Sequence, residues 1–147
     1  FPLTAKEDAM PDLQRLTDAA VTKLLTEHAL LHDLLEEADR ITAEGDSVEP
    51  LVIGLHELRD MMHDQFAKEE CGGYLQDTIS IAPRYSSECE QLRLDHRLLL
   101  SDIDAMLDDL HHSPTETLAT FHVRFRDFTT RFLNHEHHEN AVVQKAL

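Results

Sequence analysis

The chain has 147 residues, enough for one domain with a sizeable core, and its formal net charge is -16. That acidity argues against nucleic acid or an anionic membrane as a partner, and no apolar run is long enough to span a bilayer. Only four glycines and five prolines are present, which favours an all-α fold. We therefore expect a single domain over residues 1–147, in the cytoplasm, with neither nucleic acid nor membrane as its partner.

The cysteines and histidines narrow the chemistry further. Cys71 and Cys89 form neither a CxxC pair nor a metal-binding spacing. We expect free thiols, with a disulfide between the two cysteines as the alternative. Eleven histidines are unusually many, and they are spread along the chain instead of running together at one end as in a purification tag.

The first half of the chain predicts two long helices, over about 11–43 and from near Ser47–Pro50 to Gly72-Gly73. Their core-facing positions recur every three or four residues. In the first helix these positions are Val21, Leu24, His28, Leu31, Leu35 and Ala38. In the second they are Leu51, Leu55, Leu58, Met62, Gln65 and Glu69. We expect residues 72–86 to form an irregular loop over one end of the fold, because their single β-like stretch has no strand to pair with.

The second half predicts two more helices. One begins at Ser87, and the sequence Ser113-Pro114-Thr115-Glu116 is a typical start for a last helix that runs to about 145. The core-facing positions of the third helix are Cys89, Leu92, His96, Leu99, Ile103, Met106 and Leu110. Those of the last helix are Phe121, Phe125, Phe128, Phe132, His135, Glu139 and Val142. Four such helices, joined mostly by short turns, predict an up-down-up-down four-helix bundle.

Imidazoles and carboxylates occupy some of these core-facing positions. In the last helix, His135 and Glu139 lie one turn apart on the same face, directly after the core phenylalanines. Burying a carboxylate is costly unless something positive lies beside it. A metal ion is the simplest candidate.

The two halves of the chain also resemble each other. Glu27-His28-Ala29-Leu30-Leu31 aligns with Asp95-His96-Arg97-Leu98-Leu99, and the segment from Gln65 to Glu70 aligns with the segment from His135 to Asn140. We therefore expect two similar helical hairpins related by a pseudo-two-fold axis. Such a repeat is a natural way to hold two metal ions with bridging carboxylates.

At these residues the chain resembles the hemerythrin-like family, or HHE cation-binding domain, and the resemblance spans almost the whole sequence. The residues that carry it are His28, Phe66-x-x-Glu69-Glu70, His96 and His135-x-x-x-Glu139. The resemblance implies a four-helix bundle with a non-haem di-iron centre between its helices. It also implies bridging roles for Glu69 and Glu139, and terminal ligation by His28, His96 and His135.

Two positions depart from the family pattern. Gln65 stands where the family commonly has a histidine, and a neutral amide oxygen is a poor ligand for iron. Leu92 stands where the oxygen-carrying hemerythrins have a further histidine. His32 and His138, each about one turn from a predicted ligand, are candidate substitutes. The candidate metal ligands are therefore His28, His32, Gln65, Glu69, His96, His135 and Glu139.

Iron is the expected metal, with zinc and manganese as alternatives, because imidazole and carboxylate ligands suit all three. The resemblance implies binding or sensing of a small diatomic ligand such as oxygen or nitric oxide, or iron handling. Two alternatives stay open: a metal-free bundle that acts as an interaction module, and a di-iron oxidase-type enzyme. The sequence indicates no catalytic residue beyond the ligands, and it identifies no partner protein.

Overall fold

The computed structural model describes residues 22, 25–43, 48–71, 74–112 and 118–146. Helix α1 covers 25–43, and α2 covers Val48–Glu70. A short helix α3 (Tyr74–Ile81) and a 3₁₀ turn (Pro83–Tyr85) lead into α4 (Ser86–His112), and α5 covers Leu118–Ala146. The described residues contain no strand. None of their helices combines the length and the apolar character that a bilayer crossing requires.

The four long helices form the predicted up-down-up-down bundle of two helical hairpins. Helices α1 and α2 make the first hairpin and α4 and α5 the second, and α4 packs against both α2 and α5. Every predicted core-facing position within the described ranges is buried. Val21, Leu24 and the predicted helix start at Ser113-Pro114-Thr115-Glu116 lie outside these ranges.

Two apolar clusters of unequal size make up the core. In the larger one, the rings of Phe121, Phe125, Phe128 and Phe132 stack along α5 with successive centroids 6.1, 6.0 and 6.3 Å apart. Burying each such side chain stabilises the fold by about 1.5–3 kcal/mol. The smaller cluster consists of Leu75, Cys89, Leu92, Val142 and Val143. On α4 and α5, the buried polar residues lie between the two clusters.

The prediction of an irregular loop over residues 72–86 is wrong. Most of that segment forms α3 and the 3₁₀ turn, and α3 packs against α2, α4 and α5. Leu75, Thr78 and Ala82 are buried at helical spacing. Packing on three helices therefore overrides the local β preference of the Thr78–Ile81 stretch. Nearby, Cys71 is exposed and Cys89 is buried, and both are free thiols.

Candidate metal centre

Five ionisable side chains meet in the interior of the bundle. They are contributed by all four long helices, and each is buried: His28, Glu69, His96, His135 and Glu139. They face inward because the spacing that buries the neighbouring leucines and phenylalanines continues through these positions. The structure thus brings together, from both hairpins, five of the seven candidate ligands that the sequence indicates.

Both Glu139 and Glu69 have one carboxylate oxygen directed toward His28 of the first hairpin and the other directed toward His96 of the second. Glu139 Oε2 lies 3.1 Å from His28 Nε2, and Glu139 Oε1 lies 3.0 Å from His96 Nε2. Glu69 Oε2 lies 3.1 Å from His96 Nε2, and Glu69 Oε1 lies 3.9 Å from His28 Nε2. His135 Nε2 also contacts Glu139 Oε1. This is the orientation that a carboxylate needs if it is to bridge two cations.

The contacts define two groups of three ligand atoms, each within 4.8 Å of one another. One group, termed the first triad, is His96, His135 and Glu139. The other, termed the second triad, is His28, Glu69 and Glu139. Glu139 belongs to both triads, so the two groups form one continuous site.

Both histidines of the first triad are supported by a carboxylate from an adjacent helix. Asp95 Oδ2 lies 3.1 Å from His135 Nδ1, and Glu70 Oε2 lies 3.1 Å from His96 Nδ1. Phe66 stacks on the His96 ring with the centroids 3.9 Å apart. A carboxylate at Nδ1 keeps the proton on that nitrogen and leaves Nε2 available to a metal ion. The first triad is therefore oriented for metal binding.

His28, in the second triad, lacks this support. Its Nδ1 is buried and finds no hydrogen-bond partner in the described part of the chain. Glu136 Oε2 lies 3.9 Å from this nitrogen, which is too long for a hydrogen bond. In the sequence repeat, Asn140 occupies the position that corresponds to Glu70. The Glu70 carboxylate that supports His96 therefore corresponds to the Asn140 amide on the side of His28.

Gln65 is buried next to the second triad and directs its amide nitrogen toward carboxylates. Its Nε2 donates to Glu27 Oε2 at 2.6 Å and to Glu69 Oε1 at 3.1 Å. Because both neighbours only accept hydrogen bonds when ionised, the nitrogen and not the carbonyl oxygen faces them. Gln65 therefore orients Glu69. Within the described ranges, the two triads include neither of the candidate substitutes His32 and His138.

The imidazoles and carboxylates shift each other's pKa values. Burial lowers the pKa of His96, but its hydrogen bond with Glu139 and its close contact with Glu69 prevail and raise it to about 10. The pKa values of His28 and His135 are also raised. Burial is the largest single influence and lowers them, but Glu139 and the other neighbouring carboxylates together outweigh it. Burial acts to raise the pKa of Glu139, but its three histidine partners hold it well below its usual value. Burial, followed by the Glu139 charge, raises the pKa of Glu69.

The donor set and two unpaired atoms fit a transition-metal ion. Glu69 Oε2 and His135 Nε2 are buried and make no hydrogen bond of good geometry with any described residue, although each lies close to a charged neighbour. Buried polar atoms in folded proteins are rarely left in that state. Imidazole nitrogen combined with carboxylate oxygen suits iron, manganese or zinc. The residues present can therefore hold such an ion in either triad.

The sequence analysis did not identify the supporting residues around the triads. Asp95 directly precedes His96 and contacts His135. In the other hairpin, Glu27 directly precedes His28 and contacts Gln65, which aligns with His135. The repeat therefore contained the signal for these supporting acids. The repeat also indicated that Glu136 is buried, because Glu136 aligns with Phe66, and both side chains are buried in the structure.

Comparison with known proteins adds no relative. The chain matches no family model, no curated protein and no solved structure. The hemerythrin-like resemblance therefore rests on the motif residues, and the function has to be argued from the geometry of this buried site.

Proposed function

We propose that the protein is a hemerythrin-like metal-binding protein that holds two transition-metal ions between its hairpins. The first triad binds one ion and the second triad binds the other, with Glu139 and Glu69 as the bridging carboxylates. The observation that carries this proposal is that Glu139 has one oxygen next to His28 of the second triad and the other next to His96 of the first. Anionic bridges offset the repulsion between two neighbouring cations.

Iron is the metal that we propose for the site. The first triad consists of two histidines and one carboxylate, a set typical of non-haem iron(II) sites that keep open coordination positions. Zinc and manganese accept the same donor atoms and are the alternatives. Because both histidines of the first triad are supported at Nδ1, we expect this triad to bind its ion more tightly than the second.

The second position offers fewer protein ligands. It has one imidazole, from His28, and the amide of Gln65 directs a hydrogen-bond donor toward Glu69 instead of a ligand atom. An ion held there keeps coordination positions for small molecules. We propose that the protein uses them for reversible binding or sensing of a diatomic ligand such as oxygen or nitric oxide, or for iron handling.

Elemental analysis of the purified protein, expressed in iron-supplied cells, tests the proposal. We expect two transition-metal ions per chain. Removing them with a chelator should lower the thermal unfolding temperature, because the ions bind only the folded state. Absence of bound metal together with an unchanged unfolding temperature would support the metal-free interaction module. Catalytic turnover of oxygen or peroxide by the loaded protein would favour the oxidase-type enzyme.

A further inference from the structure

Glu136 and His32 form a polar pair that leads from the interior to the surface beside the second triad. Glu136 Oε2 contacts His32 Nε2. The side chain of Glu136 is 7% exposed, whereas that of His32 is 44% exposed. The second carboxylate oxygen, Glu136 Oε1, is buried without a hydrogen-bond partner among the described residues. Neither residue belongs to a triad.

An apolar pair occupies the corresponding positions where α2 packs against α4. Glu136 aligns with Phe66, which stacks on His96, and His32 aligns with Leu100, which packs against the larger apolar cluster. Burying the Glu136 carboxylate is costly, and a well-packed apolar residue in its place is often neutral or stabilising. The stability of the bundle therefore gives no reason for a histidine and a glutamate here.

His32 lines a groove of about 380 Å³ on the outside of the bundle between α1 and α5. Glu36, Asp39 and Arg126 also line this groove, and Arg126 Nε lies 3.7 Å from Asp39 Oδ1. With two carboxylates and one guanidinium, the groove favours cations. His32 thus meets solvent in this groove on one side and contacts the buried Glu136 on the other.

Glu136 lies next to the metal-binding residues on its inner side. It is three residues before Glu139 on the same helix, and residues at that spacing are neighbours on a helix surface. Its Oε2 is also 3.9 Å from His28 Nδ1. The groove, His32, Glu136 and Glu139 therefore follow one another from solvent to the shared carboxylate of the two triads.

We propose that His32 and Glu136 form a transit site that accepts divalent transition-metal ions from the α1–α5 groove and transfers them to Glu139. This inference rests on the proposed function, because the two triads are the destination. Imidazole and carboxylate are suitable ligands for these ions. Only two protein ligands are available at the pair, so an ion held there exchanges readily, as transfer requires.

Cobalt(II) alone is the probe for the test, because its visible absorbance changes when histidine and carboxylate ligands replace water. Metal-free protein is mixed with cobalt(II) in a stopped-flow instrument, and metal per chain is counted after equilibration. Three variants alter the pair: His32→Ala, Glu136→Gln, and the double substitution His32→Leu with Glu136→Phe, which copies the apolar pair between α2 and α4. His63→Ala is the matched control, since His63 belongs to an exposed histidine–carboxylate pair with Asp64 on α2.

We expect all three variants to load at least about tenfold more slowly, within the range by which charged clefts change association rates, with an unchanged final metal count. The control should load at the wild-type rate.

Wild-type loading by both single variants would overturn the transit site. A lower final count in the single variants would also overturn it, because the pair would then be part of the equilibrium site. If the wild-type protein binds no cobalt at all, the proposed function itself fails. The single variants decide the question if the double variant does not fold.

Discussion

The two triads share Glu139, yet their surroundings differ. In the first triad, each imidazole has a carboxylate 3.1 Å from its Nδ1. In the second, the Nδ1 of the single imidazole, His28, has no hydrogen-bond partner among the described residues, and Gln65 lies at the position that aligns with His135 of the first triad. Two aligned hairpins thus contain two unequal candidate metal positions. The comparison shows that the residues behind the ligands distinguish the positions as much as the ligands do.

Removal of the shared carboxylate should have the largest effect. We expect Glu139→Ala to lose both ions, because Glu139 supplies a ligand atom to each triad. Elemental analysis gives the metal count. Glu37→Ala, which removes an exposed glutamate paired with Arg40 on α1, is the control and should retain the full count. Retention of two ions by Glu139→Ala would contradict both triads at once.

Removing one histidine from each triad should separate the two positions. We expect His135→Ala to lose the tightly held ion and His28→Ala to lose the weakly held one. Each variant should therefore keep one ion, but a competing chelator should extract the ion left in His135→Ala at a lower concentration. Equal chelator concentrations for the two variants would show that the positions do not differ in affinity.

The carboxylates behind the histidines should have the next largest effect. Substituting Asp95→Asn keeps the shape of the side chain but weakens its interaction with His135 Nδ1. We expect a loss of about 10–100-fold in affinity for the first ion, the range found for such supporting residues. The measurement is a chelator-competition titration. If Asp95→Asn bound the first ion as tightly as the wild type, the support at Nδ1 would not explain the difference between the triads.

Substituting Gln65→His should make the triads more alike. The imidazole adds a ligand next to Glu69, and we expect the affinity for the second ion to rise by about tenfold, comparable to other effects of residues near a metal. The first ion should be unaffected. Titration of metal-free protein resolves the two binding steps. An unchanged second step would mean that Gln65 does not lie at the metal position.

Proton release should have the smallest effect on the number of bound ions. In the metal-free protein the pKa of His96 is raised to about 10, so this imidazole is protonated near neutral pH. A metal ion requires the deprotonated nitrogen and displaces the proton. We therefore expect metal affinity to increase as the pH rises toward that pKa. Calorimetry in buffers of different ionisation enthalpy counts the released protons. If no protons are released at neutral pH, His96 is not protonated in the metal-free protein.

The bundle and the central ligands could be predicted from the sequence because both depend on helical periodicity. Positions three or four residues apart share one face, so the burial of His96, His135 and Glu139 followed from the leucines and phenylalanines around them. Helix α3 was missed because its eight residues carry a β-like local preference, and only packing on neighbouring helices makes them helical.

The supporting residues could not be predicted in the same way because they depend on contacts between helices. Asp95 precedes His96 in the sequence but contacts His135 on α5. Glu70 lies on α2 and supports His96 on α4. Glu136 lies beside the predicted core-facing positions of α5, and it is buried because α1 packs over it. Periodicity within one helix contains no information about which side chain of another helix lies opposite.

The separation of the two apolar clusters also affects how the protein unfolds. The cluster around Leu75, Cys89 and Val142 is much smaller than the one around the four phenylalanines, and a layer of ionisable groups lies between them. Regions with few buried apolar contacts open locally before the whole domain does. Bound ions would tie all four long helices together at that layer. We therefore expect the cooperativity of unfolding to depend on metal occupancy, with the α3 end of the metal-free bundle exchanging its amide hydrogens first.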